Sequence, residues 1–394
     1  MQLLTKVETI LQKRNLTTLL LLFLCWLLPA QAVQWNPAGG NSLWITKSGK
    51  EYLDRLLLDI DGAQSTIEME YYWFDADKVG NLVRDAIIRK AREGVQIRIL
   101  VDNLTTPGSP EFFFERMRKA GADVKYVHDL EKMCPGQAVA SYFGFRDHRK
   151  IVVVDGRIAY TGGINFNNQT IYVWKDTQVR IEGPAAAQLR ALFQQSWSKL
   201  TGEAVAPEIQ VEPVGSAVVQ AIGKESRDST LTRLYVQKLK EAKEYFYLQT
   251  PYFGPPPQVL QALKDAAARG VDVRLLFPEK SDWGFMNSLT HDFIPELIAS
   301  GIRVFQYSGT YDHSKIFVTD DCLASCGTVN MDGRSFYTNW EDTLLFYDRE
   351  SVLQIKETFL DVQAECSEMD ASYPKAKGIN KVWRKFLRKI YHIL

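Results

Sequence analysis

Residues 147–168, DHRKIVVVDGRIAYTGGINFNN, return 165 positions later, at residues 312–333, as DHSKIFVTDDCLASCGTVNMDG. His148 aligns with His313, Lys150 with Lys315, Asp155 with Asp320, Gly162 with Gly327 and Asn165 with Asn330, all in one register. The same offset carries Asp176, in WKDTQVRIEG, onto Glu341, in NWEDTLLFYD. A chain that repeats itself in this way is built from two copies of one supersecondary unit. A lone His-x-Lys is an ordinary pair on a strand; two copies that keep their partners at one spacing point to a site.

The repeat extends upstream with looser spacing. AREGVQIRILVD (91–102) parallels AARGVDVRLLFP (267–278), AGADVKYV (120–127) parallels SGIRVFQY (300–307), and STIEMEYYWF (65–74) parallels EYFYLQTPYF (244–253). Each half reads strand, helix, strand, helix, strand, then the HxK hairpin, a strand and a helix. This alternation predicts an α/β fold of two tandem, pseudo-symmetric sandwich domains with mixed sheets, at residues 46–205 and 217–365. With 394 residues the chain is long enough for two cores. Residues 202–216, with two prolines and no helical period, are the expected joint. Halves related by a pseudo-twofold axis would bring equivalent positions face to face.

Within each copy the His and Lys lie two apart, so on a strand both leave the same face, about 6–7 Å from each other. They open an apolar run that ends in a turn, Asp155-Gly156 being a strong hairpin pair and Asp320-Asp321 a weaker one. The return strand delivers Gly162-Gly163-x-Asn165 and Gly327-Thr328-x-Asn330. Glycine lets a ligand or a backbone come close, and Asn supplies amide donors. His, Lys and Asn in one pocket are a donor set for a tetrahedral oxyanion, and a phosphate diester fits a doubled set best. A neutral imidazole can attack phosphorus while an opposite, protonated one gives its proton to the leaving alkoxide; a second hydroxyl then resolves the phosphohistidine. Lys150, Lys315, Asn165 and Asn330 would hold the non-bridging oxygens. Asp176 and Glu341 are suited to bond the far ring nitrogen and fix its tautomer. Asp155 and Asp320 sit at turns, which gives them a structural role despite their place in the motif.

HxKxxxxD followed by GGxN or GTxN, occurring twice, resembles the phospholipase D superfamily over residues 47–348. RDHRKIVVVDGRIAYTGGIN, QTPYF (249–253), PEKSDW (278–283) and GTVNMDGRSFYTNWE are similar to the bacterial cardiolipin synthases of the phospholipase D type. Gly163, where most of the superfamily has Ser, is what their first motif carries. The resemblance implies an active site at the interface of the halves, with a catalytic set of His148, Lys150, Asp155, His313, Lys315 and Asp320. It makes His148 the nucleophile and His313 the general acid/base, needs no metal or other cofactor, and implies transfer of a phosphatidyl group to phosphatidylglycerol. Hydrolysis of the same intermediate, as in a phospholipase or exported nuclease, and a catalytically inactive lipid-binding scaffold are the rival readings.

Charge and the two termini address the partners. Lys+Arg and Asp+Glu both number 47, but seven basic residues and no acid follow Asp370, leaving −7 on the first 370 residues. A net-acidic body argues against a grip on nucleic acid. Residues 372–394 include KVWRKFLRKIYHIL, a basic amphipathic helix that either packs on its own domain or, as favoured here, lies on anionic lipid. Residues 1–32 carry basic residues, a short apolar run and Ala30-Gln31-Ala32, the build of a signal peptide or membrane anchor. The expected partners are phospholipid substrates and an anionic membrane surface. The expected location is the bacterial cell membrane or envelope, with the body outside the cytoplasm. Cys322 and Cys326 are too far apart on a strand to bridge, whereas Cys134 and Cys366 could pair. His128 and His291 have no repeat partners and read as surface or loop residues; Phe112–Phe114 read as core.

Overall fold

The run Lys150–Val154 is a strand buried on both sides. Alternation sends Val152 and Val154 into one core and Ile151 and Val153 into a second. A strand covered on both faces has no polar side to show, so it reads as an unbroken apolar run. The computed structural model describes residues 36–102, 104, 110–128, 144–374 and 387–388, which lie within one compact unit starting at Asn36.

The first half runs β1 (Ala38–Thr46), α1 (Gly49–Gly62), β2 (Thr66–Tyr71), α2 (Lys78–Arg92), β3 (Gln96–Val101), α3 (Glu111–Lys119) and β4 (Asp123–Tyr126). It continues with β5 (Lys150–Val154), β6 (Ile158–Gly162), α4 (Asn168–Tyr172), β7 (Gln178–Glu182) and α5 (Pro184–Thr201). The second half repeats the series as β8 (Ala217–Lys224), α6 (Thr230–Glu241), β9 (Tyr245–Gln249), α7 (Pro257–Ala268), β10 (Asp272–Pro278), α8 (Gly284–Ala299) and β11 (Arg303–Tyr307). Then come β12 (Ile316–Thr319), β13 (Leu323–Gly327), a π-helical turn (Arg334–Thr338), β14 (Glu341–Phe346), α9 (Arg349–Ala364) and an added edge strand, β15 (Cys366–Met369).

The sheet order is β4-β3-β2-β5-β6-β7-β1 followed by β8-β14-β13-β12-β9-β10-β11-β15, the same order run in opposite directions. In each half three strands are parallel and the hairpin strand joins them antiparallel. The halves meet at the antiparallel pair β1–β8, which joins the two expected sheets into one, of fifteen strands among the described residues. They also share a core, in which Ile151 and Val153 of β5 belong to the same cluster as Ile316 and Val318 of β12. The first half therefore begins at Ala38, ahead of residue 46, and a strand follows residue 365. The stretch 202–214 has no regular structure and is mostly exposed.

Several side readings change. His128 is buried, 4 % exposed, with its ring 3.9 Å from Asp102 and against Phe145. His291 lies on α8, where its ring bonds the Tyr373 hydroxyl and the Glu279 carbonyl. His128 is thus a loop residue, as expected, but a buried one, and His291 is a partly buried helix residue. Phe113 and Phe114 are core, but Phe112 is 65 % exposed. Cys322, Cys326 and Cys366 are free thiols; Cys134 and residues 1–32 lie outside the described residues. Of the C-terminal run, Leu387 is fully buried and Arg388 pairs with Asp292 and Glu296 of α8, so at these two residues it packs on its own domain. Among the described residues no helix is long and apolar enough to cross a membrane.

Candidate active site

Each histidine sits just ahead of its hairpin strand, where the backbone is spliced onto the other half. Isolated bridges join Asp147 to Trp340 and Lys175 to Asp312, an equivalent pair under the duplication. His148 N donates to Trp340 O (3.0 Å) and His313 N to Lys175 O (2.8 Å). Trp340 and Lys175 directly precede the carboxylates Glu341 and Asp176, so these two splices carry each carboxylate across to the opposite imidazole.

The carboxylate–histidine pairs are consequently crossed. His148 Nδ1 bonds Glu341 Oε2 at 2.8 Å, and His313 Nδ1 bonds Asp176 Oδ2 at 2.7 Å. Both carboxylates are fully buried and both rings nearly so, in surroundings where a charge-assisted bond is stronger than in water. Burial drives the His148 pKa down to about 4, helped by Lys150 and opposed by Glu341; burial likewise holds His313 well below its ordinary value, with Lys315 adding to the effect. His313 lies within Coulombic reach of His148 and Lys150, and His148 within reach of Lys315, so both motifs share one cluster. Each ring binds its carboxylate through Nδ1, which leaves Nε2 as the nitrogen available for chemistry.

The two carboxylates are held differently. Burial pushes Glu341 up, but His148 and the hydroxyls of Ser335 (2.6 Å) and Thr328 (2.5 Å) overcome it, leaving a pKa of about 2. Burial wins at Asp176, raised to about 6 against Lys315 and the Thr177 N–H. Gly163 occupies the position of Thr328, and a Cβ there would fall inside the Asp176 carboxylate. Residue 163 has no side chain because Asp176 already fills that volume. Gly162 and Gly327 answer a different need: a Cβ would strike the backbone of the neighbouring strand at Thr177 and Asp342, so these glycines serve strand packing.

Lys150 Nζ donates to His148 O (2.9 Å), and Lys315 Nζ to His313 O. Burial lowers the two ammonium pKa values to about 7 and about 8, with Lys315 acting further on Lys150. Asn165 and Asn330 are both buried, and the Oδ1 atom of each has no hydrogen-bond partner among the described residues. Besides Asp176 and Glu341, Asp342 acts on Lys150, and Asp312 and Asp282 act on Lys315, so each buried ammonium group has several carboxylates within Coulombic reach.

Asp155 and Asp320 are the motif residues that the structure does not bring to the site. Both stand beyond the far ends of β5 and β12, at φ 50° and 51°. Asp155 accepts from Gln64 N, Ser65 N, Ser65 Oγ and Thr66 N, and Asp320 accepts from Lys243 N, Glu244 N and Tyr245 N. Each carboxylate ties its hairpin turn to the start of β2 or β9; membership of a catalytic set is corrected to a structural role.

Residues outside the motif also border the site. The Tyr72 ring lies 4.6 Å from His148, and Trp174 and Tyr311 lie 5.0 and 5.7 Å from His313. Trp174 and Tyr311 are each two residues before a site residue, a spacing that places them on the same side of an extended segment and could have marked them. Asn339, also two residues before a carboxylate, donates to Glu341 Oε1.

The family described as cardiolipin synthase, PLD-like domain, matches residues 56–197 and 235–362. Cardiolipin synthase 2 of Bacillus cereus is 32 % identical over 360 residues, spanning 88 % of this chain and 69 % of that protein. The major cardiolipin synthase of Bacillus subtilis is 32 % identical over 332 residues, 81 % of this chain and 68 % of that protein. Among solved structures, phosphatidylserine synthase of Haemophilus influenzae superposes with a TM-score of 0.67 over 89 % of this chain and 95 % of that one, at 14 % identity, and so shares the fold. With two matched halves, a relative of this identity along most of its length and the crossed pairs in place, the chain belongs to the phospholipase D-like cardiolipin synthase family.

Proposed function

We propose that the chain is a phosphatidyltransferase that forms cardiolipin from phosphatidylglycerol or a related phospholipid donor through a phosphohistidine on His148. The observation that carries this reading is the crossed pairing, because it puts one carboxylate behind each imidazole and both imidazoles in one cluster. Glu341 keeps its charge through its additional donors, so it supports the cationic character that His148 gains on attacking phosphorus. That favours His148 as nucleophile and leaves His313 with the proton work.

Burial, which lowers both imidazole pKa values, favours the neutral rings before substrate binds. A phosphodiester bound between the two lysines adds negative charge beside His313, and its arrival draws a proton onto that ring. His148 Nε2 then forms a bond to phosphorus while the P–O bond to the headgroup breaks, and His313 Nε2 protonates the departing alkoxide. Lys150, Lys315, Asn165 and Asn330 hold the non-bridging oxygens through the change. The hydroxyl of a second phosphatidylglycerol gives its proton back to His313 and attacks phosphorus, releasing His148. Water in place of that hydroxyl would give phosphatidic acid.

Phospholipid substrates place this work at a membrane surface. The basic residues of 372–394 would supply attraction to anionic lipid around the docked Leu387, residues 1–32 the address to the bacterial envelope, with the body outside the cytoplasm. Removing residues 372–394 should weaken binding to anionic vesicles; unchanged binding discards that part. For the reaction, purified protein is given phosphatidylglycerol in detergent. Cardiolipin with free glycerol is the expected outcome, and phosphatidic acid alone would replace transfer by hydrolysis.

A further inference from the structure

The duplication is broken in one place that matters for substrate choice. Tyr311 occupies the position of Arg146, and Trp174 that of Asn339. Beside His148, Arg146 lies over the Tyr72 ring and is held bidentately by Asp102, while Asn339 serves Glu341. Beside His313 the same positions carry a phenol and an indole, packed edge to face at 4.6 Å. Tyr311 is 8 % exposed, its hydroxyl has no hydrogen-bond partner of ordinary geometry among the described residues, and Tyr252, Ser281 and Asp282 all act on it. Asp282 accepts from the Tyr252 hydroxyl at 2.5 Å, is itself exposed, and acts electrostatically on both His313 and Lys315. The rim continues outward into exposed Trp283.

This wall offers an anionic acceptor, phenolic donors and flat rings, and among the described residues no cation contacts it beyond the catalytic pair. An anionic group would be repelled there. An ammonium group would meet Lys315 and, at the moment of proton transfer, a protonated His313, which already answer Asp282. A neutral polyol suits the wall: vicinal hydroxyls donate to the carboxylate and accept from a phenol, and their C–H faces lie on the rings. We propose that Asp282, Tyr252, Tyr311 and Trp174 form the subsite for the uncharged glycerol headgroup, which departs from and returns to the His313 side. The inference rests on the phosphatidyl-transfer reading above and adds where the headgroup sits and what selects it.

The test separates the two. Full-length protein is given a p-nitrophenyl phosphatidyl ester in detergent, so that nitrophenol release reports the first step whatever the headgroup subsite does. Added glycerol competes with water for the intermediate, and the ratio of phosphatidylglycerol to phosphatidic acid reports the subsite. Asp282→Asn and Tyr311→Phe are each expected to lower that ratio about tenfold, the cost of one hydrogen bond to a charged or polar partner. Asp282 is exposed, so its variant keeps a folded comparison. In wild type, ethanolamine at equal concentration should be the poorer acceptor. An unchanged ratio in both variants, or ethanolamine outcompeting glycerol, overturns the subsite; absence of any nitrophenol release overturns the transfer reading itself.

Discussion

Glu341, which holds His148, also accepts from Ser335, Thr328 and Asn339, whereas among the described residues Asp176, which holds His313, accepts only from the adjacent Thr177 N–H besides the ring. The same comparison repeats one layer deeper. In the second half Gln249 donates to Asp312 at 2.7 Å. In the first half Glu70 stands where Gln249 does, against Asp147, and Arg149 replaces Ser314 and lies 3.6 Å from Glu70. Glu, Asp and Arg on one side and Gln, Asp and Ser on the other carry the same formal charge. The duplicated frame is thus kept where it shapes the backbone and diverges around the two histidines, to which the proposed mechanism gives different work.

The largest effect should come from the residues the halves have in common. His148→Ala or His313→Ala is expected to lower turnover of phosphatidylglycerol by about 10⁴-fold or more, read as product formation. Activity near wild type in either would end the idea of a joint site. Next come the residues in which the halves differ. Glu341→Gln should cost about 10³-fold in kcat and Asp176→Asn about 10²-fold, because the first weakens the nucleophile's fixed counter-charge and the second a partner already near its titration point. Gly163→Ala should resemble Asp176→Asn, since the new methyl displaces that carboxylate; equal losses at Glu341 and Asp176 would erase the asymmetry.

The pH profile sharpens the same contrast. Asp176, raised to about 6 by burial, takes up a proton as pH falls through that value and no longer supports His313 as a cation. Lys150 and Lys315, lowered by burial to about 7 and about 8, lose their charge as pH rises through those values. The kcat/KM profile of the free enzyme should therefore fall on the acid side near pH 6 and on the alkaline side from about pH 7, and Asp176→Asn should remove the acid limb alone. An acid limb that survives in that variant assigns it elsewhere.

Smaller effects test the supporting layers. Arg149→Ser alone leaves Glu70 and Asp147 facing each other and should destabilise the fold; adding Glu70→Gln rebuilds the second-half arrangement and should recover about 1–3 kcal/mol of the loss in a double-mutant cycle. Additive losses would separate the two residues. Asp155→Asn should lower stability by about 2 kcal/mol through its lost backbone bonds while kcat of the folded fraction stays within twofold. A large fall in kcat would return Asp155 to the chemistry.

The HxK pairs and both asparagines were legible because they repeat in identity and register, which only a shared role in each half requires. Asp155 and Asp320 repeat just as faithfully, yet for turn geometry: repetition marks a constraint without saying which kind. The crossing of Glu341 to His148 was not legible, since an offset aligns each carboxylate with its counterpart and says nothing of which ring it meets. That depends on the two backbone splices between the halves. The β1–β8 join was hidden for a similar reason, β1 lying ahead of the residues at which the repeat becomes visible. Thr328 stood in plain view opposite Gly163, but its bond to Glu341 needs the β13–β14 packing to be seen.

One measurement bears most directly on a single site assembled from both halves. His313→Ala, given the p-nitrophenyl phosphatidyl ester whose leaving group needs no acid, lacks the base that would clear the intermediate. Intact-mass and peptide mapping should find one phosphatidyl group per chain, on His148, and that adduct should be strongly reduced when Glu341→Gln, a change in the opposite half, is added. Adducts on another residue, or an adduct indifferent to Glu341, would contradict the crossed arrangement.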